Sequence, residues 1–311
     1  MNNKLVTVIG GGGFLGRYVA QALFAKGARV RIAQRDPRQA WFIKPLGGLG
    51  QTQFIGADVR RPETLAAAVA GADAVVNLVG VLSGDFAGVH VAGAKAVAEA
   101  AAAAGVPALA HVSAIGADPE SDSAYGRSKG QGEAAVRAAF PAATILRPSI
   151  VFGREDNFIN RFAGMITSAP VVPVLRAQTK FQPVFVGDVA EAIVAALSGG
   201  AETAGKTYEL GGPDVLTMGA LIRWIAEAIG RDPTILELPD AIGGLIALGG
   251  VLPGAPITLD QWKMLGHDNV VAGGAHGLAD LEISPTPLDA VAPAWLVRYR
   301  RNGRFGARAA A

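Results

Sequence analysis

The chain has 311 residues, half of them hydrophobic, with a formal net charge of +2 and no cysteine. That length can bury one large core, or a large domain with a smaller partner. The near balance of charge supplies no global field to recruit nucleic acid, and the lack of cysteine excludes disulfides, thiolate metal ligands and a cysteine nucleophile. No metal site is expected.

Taken in chain order, short β-branched runs alternate with alanine-rich stretches through the first half. Residues 5–9, 29–33, 53–56, 74–79, 109–113 and 143–146 are expected as strands, the first four nearly continuous in apolar character, as parallel strands covered on both faces are. Residues 5–9 are strand-length rather than the core of a signal peptide. Between the strands, Gly27 is expected to end the first helix in a left-handed conformation, Pro62 to open another, and Gly71 and Gly105 to close two more. This alternation predicts an α/β fold, a Rossmann-type doubly wound parallel sheet.

After Ser149 prolines and glycines become frequent, and strand–helix units appear singly at 184–197 and 207–229. Residues 1–152 with 184–211 are therefore expected as the dinucleotide-binding domain, and 153–183 with 212–311 as a smaller lobe. The apolar stretch 241–252 falls short of the ~20 residues a membrane span needs. Its four glycines require packing for a helix to persist, so burial is favoured over exposure. Arg298, Arg300, Arg301, Arg304 and Arg308 give the tail a basic character suited to docking on a membrane face or partner complex. A soluble cytoplasmic protein is expected, with the inner face of a membrane as a peripheral location.

The first strand runs into Gly10-Gly11-Gly12-Gly13-Phe14-Leu15-Gly16, which matches G-x-x-G-x-x-G. The glycines provide a tight turn, a close backbone approach to pyrophosphate, and close helix–strand packing, while the following helix points free N–H groups and its dipole at phosphate. An acid that would read the ribose 2′-hydroxyl of NAD is expected at the end of the second strand. Here Gln34 stands there, Arg35 follows, and Asp36 before Pro37 has a helix-capping role available. NADP(H) is thus expected over NAD(H), with Arg35 on the 2′-phosphate. Asp58 is placed to accept from the adenine amino group, and Asn77-Leu78-Val79-Gly80 to let the backbone pass the ribose.

Ser113 ends the fifth strand, and Tyr125 and Lys129 follow at i and i+4 on one helix face. A phenol exchanging a proton near neutral pH must drop by about 3 units from its ordinary value, and an adjacent ammonium supplies part of that. Ser113 would hold the substrate oxygen.

With Leu146-Arg147-Pro148 and Tyr208-Glu209-Leu210-Gly211-Gly212, these residues resemble the extended short-chain dehydrogenase/reductase superfamily, which includes epimerases and dehydratases. His90 departs from it, standing where that superfamily usually has Asn; no catalytic role is assigned to it. Phe152-Gly153-Arg154-Glu155-Asp156-Asn157-Phe158, Gln182-Pro183 and the tail resemble more narrowly the nucleotide-binding accessory subunit of respiratory complex I and its bacterial relatives. The resemblance implies cofactor contacts at Gly10, Gly13, Phe14, Leu15, Gly16, Gln34, Arg35, Asp58, Val59, Asn77, Val79, Gly80, Tyr125, Lys129 and Pro148, and Ser113, Tyr125 and Lys129 as the catalytic set. It also implies NADPH held structurally, and a respiratory-complex or quinone-pathway partner. The intact Ser–Tyr–Lys set keeps the alternative open, an oxidoreductase or epimerase acting on a soluble small molecule.

Overall fold

A computed structural model describes residues 1–251 and 257–305. They cluster into two units, one of Met1–Pro148, Val186–Leu210 and Ala272–Ser284, the other of Ser149–Phe185, Gly211–Val271 and Pro285–Ala311. Residues 272–284, expected in the smaller lobe, belong with the sheet: Ala272 N donates to Glu209 Oε2 and Glu209 N donates to the His276 carbonyl.

The first unit is built on β1 (Leu5–Ile9), β2 (Arg29–Gln34), β3 (Thr52–Gly56), β4 (Ala74–Asn77), β5 (Leu109–Val112), β6 (Thr144–Pro148) and the strand Thr207–Leu210. All pair in parallel, in the order Thr207–Leu210, β6, β5, β4, β1, β2, β3. The order reverses between β1 and β4, and a doubly wound sheet places its ligand crevice beyond the carboxyl ends of such strands. The expected strand set is present, running further at β2, β3 and β6 and stopping earlier at β4 and β5. Helices α1 (Phe14–Ala25), α2 (Leu65–Val69), α3 (Ala94–Ala103) and α4 (Ala124–Ala139) run between the strands. Alanines at 94, 96, 98 and 101 of α3 are buried, so the low-complexity stretch is a close-packed helix face. Gly27, Gly71 and Gly105 all take positive φ after their helices, where a Cβ would be strained. Asp36 caps a 3-10 helix, Pro37–Leu46, by accepting from Arg38 N.

The second unit has its own apolar core, in which Phe152, Ile159, Ile166, Phe181, Leu221, Ile222, Ile225, Leu288 and Leu296 are buried. The residues that mark the narrower resemblance do structural work here. Asp156 accepts from the amides of Gly153, Phe158 and Ile159 and so starts the helix Ile159–Ser168. Gln182 donates to the Gly212 carbonyl and accepts from Val271 N, joining distant segments of the unit.

Two expectations for this unit change. The apolar stretch forms the helix Asp240–Leu248, where Gly243 and Ala247 are buried while Ile242, Leu245 and Leu248 are exposed. Only its glycine side is packed, since a Cβ on Gly243 would press into the Trp262 ring. Leu252 and Pro253-Gly254-Ala255-Pro256 lie outside the described residues. In the tail, Arg298 donates to Asn160 Oδ1 at 2.7 Å and Arg300 donates twice to the Ala228 carbonyl. These two arginines fasten the tail to its own unit rather than serving as free docking charges. Arg308 is outside the described residues.

In the first unit, α4 crosses the segment before α3 at Gly132, where a Cβ would collide with the His90 carbonyl oxygen. Alanine gains about 1 kcal/mol over glycine in a free helix. Forcing backbone apart in a packed core costs about 1–3 kcal/mol, so the collision wins. Gly132→Ala is therefore expected to lower the urea midpoint at unchanged m-value; a midpoint raised by alanine would show that the crossing yields freely.

Candidate dinucleotide site

The turn from β1 into α1 is shaped by its glycines. Gly10 has φ 80 and lies against Val79, so neither its backbone nor its surroundings admit a side chain. Gly16 faces the Gly11 carbonyl so closely that a Cβ would collide with it. Gly13 differs: it is exposed, and a Cβ there would meet only the Gly10 oxygen at 3.5 Å. The protein itself leaves that space, where the sequence predicts backbone against pyrophosphate. Gly13 is also the N-cap of α1 with no side-chain cap, and the first turn holds no acid. The helix thus offers its amide donors and positive dipole end uncompensated, as phosphate binding requires. Phe14 and Leu15 are the first residues of α1, both half-buried.

At the end of β2 the Gln34 side chain folds over Gly12 and donates to the Asp36 carbonyl at 2.7 Å. Asp36 is committed twice, to its cap and to Arg38 at 3.0 Å. Arg35 is exposed and makes no ion pair or hydrogen bond among the described residues. The arrangement leaves no free acid at the end of β2 and an exposed guanidinium next to it.

Asp58 ends the turn after β3, and its carboxylate lies 3.2 Å from Arg60, whose hydrogen bonds hold it below the usual carboxylate range. Only the oxygen lone pairs not taken by Arg60 are open to an adenine amino group. Val59 is buried against Gly93. Asn77 is likewise internal: its Oδ1 accepts from Val79 N at 3.1 Å and its amide meets His111 Nδ1 at 3.2 Å. Its side chain shapes the Val79–Gly80 turn, so what this strand end can offer a ribose is backbone. Pro148 ends β6, and its carbonyl accepts from Ile115 N.

Ser113, Tyr125 and Lys129 come together on this same unit. Ser123 caps α4 by accepting from Gly126 N, which places Tyr125 in the first turn and Lys129 one turn later. Ser113 Oγ is buried and has no hydrogen-bond partner, a costly state for a hydroxyl unless a ligand supplies one. Lys129 is buried, donates to the Val112 carbonyl at 3.3 Å and stands 6.0 Å from the Tyr125 ring centre. Burial lowers its pKa to about 8, opposed by the charge of Glu133. For Tyr125 the expectation reverses: burial pushes the phenol up to about 12. In the protein alone desolvation outweighs the neighbouring ammonium, which is engaged with a carbonyl.

The sequence did not point to the ion network behind this set. Both carboxylate oxygens of buried Glu133 accept from Arg147, at 2.9 and 2.7 Å, and Arg147 reaches Glu209 at 3.4 Å. Lys129 and Glu133 at i and i+4 were a signal for it. A second omission is the aromatic group beside Tyr125: Phe86 stacks on His90 at 5.4 Å, and both rings meet Tyr125 edge-on at 6.0 and 5.5 Å. His90 sits on a π-helical stretch, Ala87–Gly93, that Phe86 precedes, a geometry frequent at functional sites.

His90 is packed and hydrogen-bonded, its Nε2 accepting from Val81 N and its Nδ1 meeting Ser128 Oγ, both at 2.9 Å. Ser128 donates to the Tyr125 carbonyl, so Nδ1 carries the proton of a neutral ring. Burial first, and Lys129 second, lower its pKa to about 4. The unfolded chain, with an ordinary value near 6.5, binds that proton first. The contribution of neutral His90 is complete above about pH 6.5 and is lost as the pH falls towards 4, up to ~3 kcal/mol. Urea midpoints are expected to fall across this window, and His90→Asn to flatten the fall; an unchanged slope would show that His90 is protonated while folded.

Residues 6–211 match the NAD dependent epimerase/dehydratase family. The chain is 36% identical over 324 residues to the Arabidopsis thaliana protein named NADH dehydrogenase (ubiquinone) 1 alpha subcomplex subunit 9, mitochondrial, covering 97% of this chain and 80% of that one. It is 30% identical to a ceramide reductase of Caulobacter vibrioides, over 86% of this chain and 81% of the other. Among solved structures, an NADPH-dependent quinone oxidoreductase from Escherichia coli shares the fold with a TM-score of 0.76 at 21% identity, covering 94% of this chain and 99% of that one. The glycine turn, the uncapped helix, the orphaned serine and the similarity along nearly the whole chain agree: this is an NAD(P)-binding member of the NAD dependent epimerase/dehydratase family, in the extended short-chain dehydrogenase branch that includes the alpha-subcomplex subunit of complex I.

Proposed function

We propose that the protein is an NADP(H)-binding accessory component that holds its nucleotide as part of its structure and works with a respiratory complex or a quinone-pathway partner on the cytoplasmic side. The named complex I relatives support the partner class. The observation that carries the binding role is the uncapped start of α1 beside the clear space at Gly13. Gln34 in place of an acid, with unpaired Arg35 next to it, supports NADP(H) over NAD(H). The nucleotide, when bound, supplies a hydride; the protein's part is to place donors at the phosphates and Lys129 and Ser113 at the other end. Burial pushes the Tyr125 phenol up, so the protein alone holds no proton-exchange group poised for neutral pH. Arg35→Ala is expected to weaken NADPH binding tenfold or more while leaving NADH nearly unchanged, the loss of one charge-assisted bond. Equal losses for both nucleotides, measured by titration calorimetry, would remove the preference for NADP(H).

One observation favours a second reading, a reductase. Ser113 Oγ is buried without a partner, one residue after the Val112 carbonyl that Lys129 reaches, an arrangement that suits a substrate oxygen better than empty space, and one relative bears the name of a reductase. In that reading Tyr125 donates the proton to the reduced oxygen and Lys129 keeps the phenol within reach of ionisation. NADPH oxidation with a soluble ubiquinone analogue separates the two. A rate that falls by about 10²-fold or more in Tyr125→Phe, with NADPH still bound, establishes turnover; background oxidation equal in both proteins leaves the accessory reading standing.

A further inference from the structure

The chain between β2 and β3 carries a surface that the nucleotide site does not use. With three residues per turn, the 3-10 helix Pro37–Leu46 sends Ala40 and Ile43 inward, both fully buried. Two outward columns remain, Arg38–Trp41–Lys44 and Gln39–Phe42–Pro45. Trp41 is 59% exposed and Phe42 41%. Beyond the helix, Gly47-Gly48-Leu49-Gly50 holds Leu49 with its side chain wholly in solvent. This tip is a built turn. Gly48 N donates to Gln51 Oε1 at 2.6 Å, Gln51 donates back to the Gly48 and Ala28 carbonyls, and Gly50 turns the chain with φ 77.

The charge around this apolar surface has one sign. Arg38 and Lys44 flank Trp41 in its column, and the Arg17 guanidinium lies 4.5 Å over the Phe42 ring. The one acid in residues 35–51 is Asp36, whose carboxylate is already taken by its cap and by Arg38. An aromatic pair with flanking cations suits a headgroup layer, and a lone leucine on a glycine tip suits acyl chains. A protein partner would have to provide a separate pocket for a leucine standing clear of its neighbours, whereas a bilayer accommodates it without one. We propose that this surface docks the protein on an anionic lipid bilayer, Trp41, Phe42 and Leu49 entering the interface and Arg17 and Lys44 facing lipid phosphates.

The test uses the full chain with vesicles of phosphatidylcholine alone and of phosphatidylcholine mixed with phosphatidylglycerol, read by co-sedimentation and by tryptophan fluorescence. Binding is expected on the mixed vesicles, weakened by salt, with a blue shift of the emission. The double variant Trp41→Ser, Leu49→Ser is expected to lower partitioning by on the order of tenfold or more. Lys44→Glu is expected to weaken binding to the mixed vesicles alone. The double variant keeps the glycine turn and Arg35, so unchanged NADPH binding reports that it is folded and separates this proposal from the nucleotide assignment. Absence of binding to either vesicle, or binding that the double variant leaves intact, overturns the proposal. So does association with a purified protein partner that persists without lipid and is lost in the double variant.

Discussion

The nucleotide end of the protein depends on one close approach, the passage of α1 past the carboxyl end of β1 with nothing but glycine between them. Gly10 lies against Val79 at positive φ and Gly16 faces the Gly11 carbonyl, so a side chain at either would push the helix off the strand. That contact fixes where the first amides of α1 point. Because Gly13 brings neither a side chain nor a cap, those amides and the dipole end stay uncompensated. A helix end of this kind carries a cost in the protein alone that an anion offsets.

The opposite end of the site follows a different logic. Lys129, Glu133, Arg147 and Glu209 form a run of alternating charges in the interior, with Glu133 and Arg147 in bidentate contact. Breaking such a run leaves an unpaired buried charge, which costs far more than the run contributes over an apolar core. Its effect is to hold α4 at a fixed position against β6, and so to set Lys129 and Tyr125 relative to Ser113. Four groups near this end are shifted by burial: Tyr125 upward, Lys129, His90 and His111 downward. Desolvation is the first cause in each, so any bound group that changes the local charge or excludes water acts on all four together.

Much of the site was legible in local sequence because its parts are local. The glycine turn, the Asp36 cap, Gln34 and Arg35 at the strand end, and Tyr125 with Lys129 one turn apart are each fixed by neighbours within a few residues. Asn77 was legible as a strand end but not in its direction, because its partner His111 is set by the pairing of β4 with β5. Asp58 was legible as an acid, but Arg60 two residues on competes for it. The tyrosine's proton affinity depends on how deeply its helix packs, which spacing alone does not encode.

The sequence by itself determined the fold class, the strands of the sheet and the glycine turn into the first helix, since parallel strands, helix ends and glycine turns are dictated by short-range sterics and hydrogen bonding. Tertiary structure decided the rest. It placed residues 272–284 beside the sheet through Glu209, closed the network from Lys129 to Glu209, and left Ile242, Leu245 and Leu248 outside because only the glycine side of their helix meets Trp262. It also turned Trp41 into solvent through the 3-10 period, and Leu49 through the glycine tip that follows, outcomes that an apolar tally cannot anticipate. Contacts between residues far apart in sequence have no local signature; they exist only once the sheet order has brought their partners together.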